Sequence, residues 1–238
     1  MIPKKLSHKA GKIKIIKNGP YLVEGSLPLA KEIIKTDYTG VPVEWAEGGE
    51  KYPDKESYAL CRCGQTKTPP YCDGSHIKTN FDGTETASRE KYLDLAEKIA
   101  GPGMDLADLP DLCASARFCH KDGGTWKLTD ESDNKHKKAT AIQESCDCPG
   151  GRLTAFAKNG QAIEPKFEPS ISLVEDPDQG VSGPIWVKGC VPIAGADGAQ
   201  YETRNRVTLC RCGKSRNKPF CDGAHIRAGF NDGDKSIN

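Results

Sequence analysis

Short runs of alternating apolar and polar residues, each closed by glycine or proline, dominate both ends of the chain. Lys12-Ile13-Lys14-Ile15-Ile16 opens one strand. Gly19-Pro20-Tyr21-Leu22-Val23-Glu24-Gly25-Ser26-Leu27-Pro28-Leu29 then reads as turn, strand, turn and strand. The same order returns at Gly183-Pro184-Ile185-Trp186-Val187-Lys188-Gly189-Cys190-Val191-Pro192-Ile193. Tyr58-Ala59-Leu60 and Val207-Thr208-Leu209 are further short strands, and each runs straight into a cysteine. Ile171-Ser172-Leu173-Val174 leads into the second set. Arg152 to Lys158 alternates toward Asn159-Gly160, a hairpin-turn pair, and Gln161-Ala162-Ile163 returns.

A helical period appears only in the middle. Arg89 to Ala100 places Leu93, Ala96, Ile99 and Ala100 on one side, with Ser88 as N-cap and Gly101-Pro102-Gly103 as terminator. Asp111 is placed to cap a second helix through Arg117 and Phe118. Asp133 to Ser145 is a third, headed by Lys135, His136, Lys137 and Lys138, which reads as an exposed face. The pattern predicts an α+β, predominantly β chain in three parts, residues 1–86, 87–170 and 171–238.

The strongest chemical signal lies just after the two lead-in strands. Cys61-Arg-Cys63-Gly-Gln-Thr-Lys-Thr-Pro-Pro-Tyr-Cys72-Asp-Gly-Ser-His76 is matched by Cys210-Arg-Cys212-Gly-Lys-Ser-Arg-Asn-Lys-Pro-Phe-Cys221-Asp-Gly-Ala-His225. Both are C-x-C-x8-C-x3-H. Three soft thiolates and one imidazole in so short a span form a metal site by composition. Side chains at i and i+2 share a face of an extended chain, so Cys61 and Cys63 can chelate one metal. Cys72 and His76 lie one helical turn apart, and a helix starting near Cys72 would put both on one face. Two pairs of ligands fit two metals, a [2Fe–2S] centre with three Cys and one His. A mononuclear zinc is the alternative, although structural zinc usually takes C-x2–4-C knuckles. The motifs are 210 − 61 = 149 residues apart and the strand runs 183 − 19 = 164. The first copy therefore carries extra residues, placed between Thr36 and Ser57.

Both stretches resemble the CDGSH iron–sulfur domain of the NEET family, which binds a redox-active [2Fe–2S] cluster. The first copy reads Cys72-Asp73-Gly74-Ser75-His76, and the second has Ala224 at the Ser position. The resemblance implies Cys61 and Cys63, and Cys210 and Cys212, on inner irons. It implies Cys72 with His76, and Cys221 with His225, on outer, more exposed irons. It further implies two lobes whose strands pack into a β-cap, here within one chain as a pseudo-twofold monomer, because covalent linkage raises the partner half's effective concentration. One-electron transfer or cluster storage and delivery follows as the expected function. The unidentified partner is a redox or apo-acceptor protein. The alternative is a zinc- or iron-stabilised interaction module.

Four more cysteines lie in the middle part. Cys113 and Cys119 have the outer spacing of a bacterial ferredoxin run, with Ala116 where the middle ligand would stand. Cys148-Pro149 resembles the closing ferredoxin Cys-Pro. Three thiolates could hold a third cluster, with Cys146 or another donor as fourth ligand. The missing ligand favours instead a degenerate ferredoxin-like insert that keeps its cysteines as small core residues. Cys190 aligns with Ser26 and reads as a packing residue, and His8 and His136 read as solvated among lysines.

Composition narrows the rest. Lys and Arg number 34 against 33 Asp and Glu, which gives no global pull toward nucleic acid or an acidic membrane. A mean hydropathy of −0.60 indicates a polar, loop-rich, soluble chain. Thiolate ligands suit a reducing compartment, so a cytoplasmic location is expected. The segment from Met1 to His8 is not followed by an apolar h-region, and no run is long enough for a membrane span. No phosphate loop, nucleophile elbow or His-Glu-x-x-His pattern occurs, and no enzyme activity is expected.

Overall fold

The computed structural model describes residues 11–46 and 49–237. The readings on Met1 to His8 lie outside these residues. The chain opens with strands β1 (Lys12–Ile15), β2 (Tyr21–Glu24), β3 (Leu29–Thr36), β4 (Pro42–Ala46) and β5 (Ser57–Leu60), followed by the short helix α1 (Ser75–Lys78). The middle holds α2 (Tyr92–Leu95), β6 (Glu97–Ala100), β7 (Asp105–Asp108), α3 (Thr125–Asp130), α4 (Lys135–Asp147), β8 (Leu153–Phe156) and β9 (Ala162–Ile163). The last part is β10 (Ser170–Asp176), β11 (Val181–Lys188), β12 (Ile193–Ala194), β13 (Arg206–Leu209) and α5 (Ala224–Arg227).

Among the described residues the strands form three sheets. Their orders are β12-β1-β2-β5, β13-β11-β10-β3-β4 and β6-β7-β8-β9. The first two each draw strands from both ends of the chain. The crossings are parallel: Ile13 pairs with Ile193 in β1–β12, and Leu29 with Ile171 in β3–β10. Period-two alternation explains what fills the space between them. Ile13 and Ile15, then Tyr21 and Val23, are buried, while Lys12 and Lys14 face water. With Leu60, Ile171, Leu173, Ile185 and Leu209 they form the main core. Each fully buried aliphatic side chain there contributes about 1.5–3 kcal/mol. The extra residues of the first copy include β4, which pairs with β3 at the sheet edge.

The mostly-sheet reading holds, and the larger deviations fall in the middle part. The helix expected over Arg89 to Ala100 is only the turn Tyr92–Leu95. Ala96 is extended (φ −74°, ψ 139°), and Glu97–Ala100 pairs with β7 as a strand. Pairing to β7 outweighs helical periodicity, and Leu93 and Leu95 remain exposed. Gly101-Pro102-Gly103 is consequently a hairpin connection. The helix expected from Asp111 is absent too. A 3₁₀ turn at Pro110–Leu112 is followed by an irregular loop with Ser115 and Arg117 at positive φ, then a second 3₁₀ stretch from Phe118. The helix expected over Asp133 to Ser145 is α4, with the Asn134 side chain accepting from the His136 and Lys137 amides as N-cap. The Asn159-Gly160 hairpin joins β8 to β9. No described helix is long and apolar enough to cross a membrane.

Candidate metal centres

The two CDGSH-like stretches fold alike because the same local bonds recur. Strand β5 delivers Cys61 and β13 delivers Cys210. The Cys61 amide donates to the Pro70 carbonyl (2.9 Å) and the Cys210 amide to that of Pro219 (2.8 Å). Thr66 and Ser215 each donate a hydroxyl 2.7 Å to the carbonyl before the third cysteine. Asp73 accepts from the Lys67 and Ser75 amides, both 2.9 Å, and Asp222 accepts from those of Arg216 and Ala224 at 2.9 and 3.1 Å. These donors hold the exposed Asp73 carboxyl well below the usual range. The helices carrying the histidines begin three residues later than the sequence suggested, at Ser75 and Ala224. Gly74 (φ +85°) and Gly223 (φ +77°) make the left-handed step that starts them.

The structure brings the eight predicted residues together as four close donor pairs, two in each motif. Cys61 Sγ lies 3.7 Å from Cys63 Sγ, and Cys210 Sγ 3.7 Å from Cys212 Sγ. Cys72 Sγ is 3.3 Å from His76 Nδ1, and Cys221 Sγ 3.5 Å from His225 Nδ1. Two sulfurs about 2.3 Å from one tetrahedral metal stand about 3.8 Å apart, and a sulfur and an imidazole nitrogen about 3.6 Å apart. Each pair therefore has the bite of a single metal. Among the described residues no three or more His, Cys, Asp or Glu converge on one ion position. The donor set fits a group that offers each pair a metal of its own.

Charge within the pairs is uneven. The hydrogen bond from Cys63 pulls Cys61 down to about 6, and that from Cys212 does the same for Cys210, while the partner thiols are pushed up. Burial lowers His225 to about 4, which keeps its imidazole neutral and fit to ligate.

The quartets abut each other. A Cβ at Gly64 would lie 2.8 Å from the Cys212 carbonyl oxygen, and one at Gly213 would lie 2.6 Å from that of Cys63. Tyr21 also crosses between the halves, donating its hydroxyl to the Cys210 and Pro219 carbonyls at 2.8 and 3.0 Å.

The middle cysteines divide. Cys113, Cys119 and Cys148 line one small cavity with Ala116, Pro149 and Arg152. Burial pushes the Cys119 thiol up to about 12, and the neighbouring Cys148 and Cys113 sulfurs add to the effect. Arg152 is held there by two bonds to Asp108, at 2.7 and 2.9 Å. Cys146 turns away, its sulfur 3.8 Å from the Ile163 carbonyl oxygen. Cys190, read as packing, is exposed. It occupies a left-handed turn position (φ 56°) that matches Ser26 (φ 57°), so backbone geometry and not core space explains the alignment.

Sequence reasoning missed three arginines. Arg62 and Arg211, one inside each Cys-x-Cys pair, are almost wholly buried. Arg211 meets Glu175 (2.5 Å), Asp232 and the carbonyls of Gly183 and Val174. Arg62 donates to the Gly83 carbonyl and faces the Tyr21 and Phe81 rings. The repeated Cys-Arg-Cys was the available signal. Arg206 on β13 donates to the Cys148, Ser145 and Leu153 carbonyls, all at 2.9 Å, and ties the second half to the insert. Nothing in its sequence context marked it.

Two family models match parts of the chain. A family model described as iron-binding zinc finger, CDGSH type, matches residues 18–77 and 182–226. A model described as divergent 4Fe-4S mono-cluster matches residues 99–158 between them. No curated protein and no solved structure matches the chain. The chain thus carries two regions that match the CDGSH-type iron-binding family, with a region similar to a divergent 4Fe-4S domain between them.

Proposed function

We propose that each quartet, Cys61-Cys63-Cys72-His76 and Cys210-Cys212-Cys221-His225, holds a [2Fe–2S] cluster and that the chain serves one-electron transfer or cluster storage and delivery. The carrying observation is the pairing of donors: two single-metal bites in each quartet, repeated in both copies. A [2Fe–2S] centre, when bound, accepts or gives one electron at a time. The chain's residues set its conditions. A neutral imidazole in place of a fourth thiolate removes negative charge and favours a higher reduction potential than an all-Cys site has. The same imidazole ligates only with its nitrogen unprotonated, so acid competes with the metal at His76 and His225.

We further propose that the two ends of the chain form a pseudo-twofold pair. The parallel β1–β12 and β3–β10 pairings and the reciprocal Gly64–Cys212 and Gly213–Cys63 approaches support it. The convergence of Cys113, Cys119 and Cys148, with the matching family model, supports a third cluster on these thiolates in preference to a merely structural role. The acceptor is a redox or apo-protein partner in a reducing, cytoplasmic setting.

The test is the visible spectrum of anaerobically purified protein. Red-brown colour that bleaches with dithionite is expected. A colourless, zinc-containing protein would overturn the reading in favour of a metal-stapled interaction module.

A further inference from the structure

The two CDGSH quartets share their backbone bonds but not their surroundings. Cys221, Gly223, Ala224 and His225 are buried, with His225 only 3% exposed. Their counterparts Cys72, Gly74, Ser75 and His76 are all half-exposed, and Ile77 beside them is 73% exposed. His76 lines an open cleft with Lys17, Asn18, Asn80, Phe81 and Asp82.

The insert packs on the second site and not on the first. A Cβ at Gly223 would meet Ser115 Oγ at 2.2 Å and the Cys113 carbonyl oxygen at 3.3 Å, whereas one at Gly74 would meet nothing within 4 Å. The covering loop, residues 113–119, is latched at two points, one on the second half and one on β4 of the first. Arg117 pairs with Asp176 and with Asp178 (3.3 Å). Phe118 packs with tilted rings on Trp45, which packs likewise on Trp186, each at 4.8 Å between centroids. Among the described residues, no loop covers the first quartet in this way.

We infer that the first CDGSH site is the chain's exchange port, the place where cluster or iron passes to an acceptor, and that the insert holds the second site as a retained centre. This rests on the iron–sulfur reading above. Exchange requires an incoming ligand to reach the outer Cys–His pair, and only Cys72 and His76 offer that approach. The second pair opens only when the 113–119 loop lifts. The occupant of the port is then an acceptor that supplies its own thiolates or other iron ligands and displaces Cys72 and His76.

The experiment is timed iron removal from the intact, loaded chain with a low-molecular-weight ferrous chelator under dithionite. It is followed by the nitrogen-coupled EPR signal of the imidazole-ligated centres, to which an all-sulfur insert centre does not contribute. Two phases of equal amplitude are expected, separated by at least about tenfold in rate. His76→Cys tags the first site by removing its nitrogen coupling, and should abolish the fast phase of that signal alone. Arg117→Gly, compatible with the local φ of 64°, cuts the latch and should speed the slow phase about fivefold or more without touching the fast one. A single phase, or loss of the fast phase with His225→Cys and not with His76→Cys, would overturn the inference. If Arg117→Gly fails to fold, the two histidine variants still decide the assignment. Absence of iron and sulfide from the purified chain would defeat the iron–sulfur reading itself, a result separate from a single-phase release.

Discussion

Gly74 and Gly223 occupy the same place in the two copies and the same backbone region, φ +85° and +77°. Replacing either with alanine incurs the left-handed cost of about 1–2 kcal/mol. At Gly74 that is the whole cost, because the new methyl meets nothing within 4 Å. At Gly223 the methyl would lie 2.2 Å from Ser115 Oγ and 3.3 Å from the Cys113 carbonyl oxygen. The insert loop must move or the cluster loop must, and such overpacking adds about 1–3 kcal/mol. In a chain of this length the excess corresponds to a melting temperature lower by about 2–12 °C. Ser115→Gly removes the obstructing side chain at a position already at φ 55°. A double-mutant cycle isolates the contact: Ser115→Gly should restore most of the excess in Gly223→Ala and nothing in Gly74→Ala. Circular dichroism melts of the three single and two double variants, all loaded, provide the assay. Equal losses at the two glycines, with no rescue, would refute the claim that the insert packs on the second site.

Arg211→Met leaves the buried Glu175 and the partly buried Asp232 carboxylates without their cation and should cost about 3–5 kcal/mol in denaturant unfolding. Arg62→Met strands no carboxylate and should cost clearly less. Arg206→Met frees the carbonyls of Cys148, Ser145 and Leu153. It should lower insert-bound iron while leaving the nitrogen-coupled EPR signal in place. Burial raises Glu144 to about 7 from 4.5, although Thr125 donates to it. The folded chain therefore holds that proton more tightly than the unfolded chain. Its contribution is full below pH 4.5 and is lost as pH rises toward 7. Glu144→Gln should thus stabilise the protein by about 1–3 kcal/mol at pH 8 relative to its effect at pH 4.5. A difference of the opposite sign between unfolding curves at the two pH values would contradict this.

Legibility followed the locality of the physics. The C-x-C-x8-C-x3-H spacing exposed the donor quartets because each is built within one short segment whose bonds are local. The β1, β2, β5 and β13 strands were readable from alternation and the glycine or proline at their ends. Arg89 to Ala100 misled because a helical stripe and a β6–β7 hairpin accept the same residues, and long-range pairing decides between them. Ala116 stands at the gap in the ferredoxin-like run. It could not show that Cys148, far along the chain, turns toward Cys113 and Cys119 while Cys146 turns away. Nor could two nearly identical motifs reveal that one is buried and the other open, since the residues packed on Gly223 come from over a hundred positions earlier.

The most direct measurement is the count of iron and acid-labile sulfide per chain, for the anaerobically purified protein and for Cys113→Ala/Cys119→Ala/Cys148→Ala. The account predicts about seven or eight irons in the first and about four in the second, with sulfide close to iron in both. Stoichiometric zinc without acid-labile sulfide would contradict it.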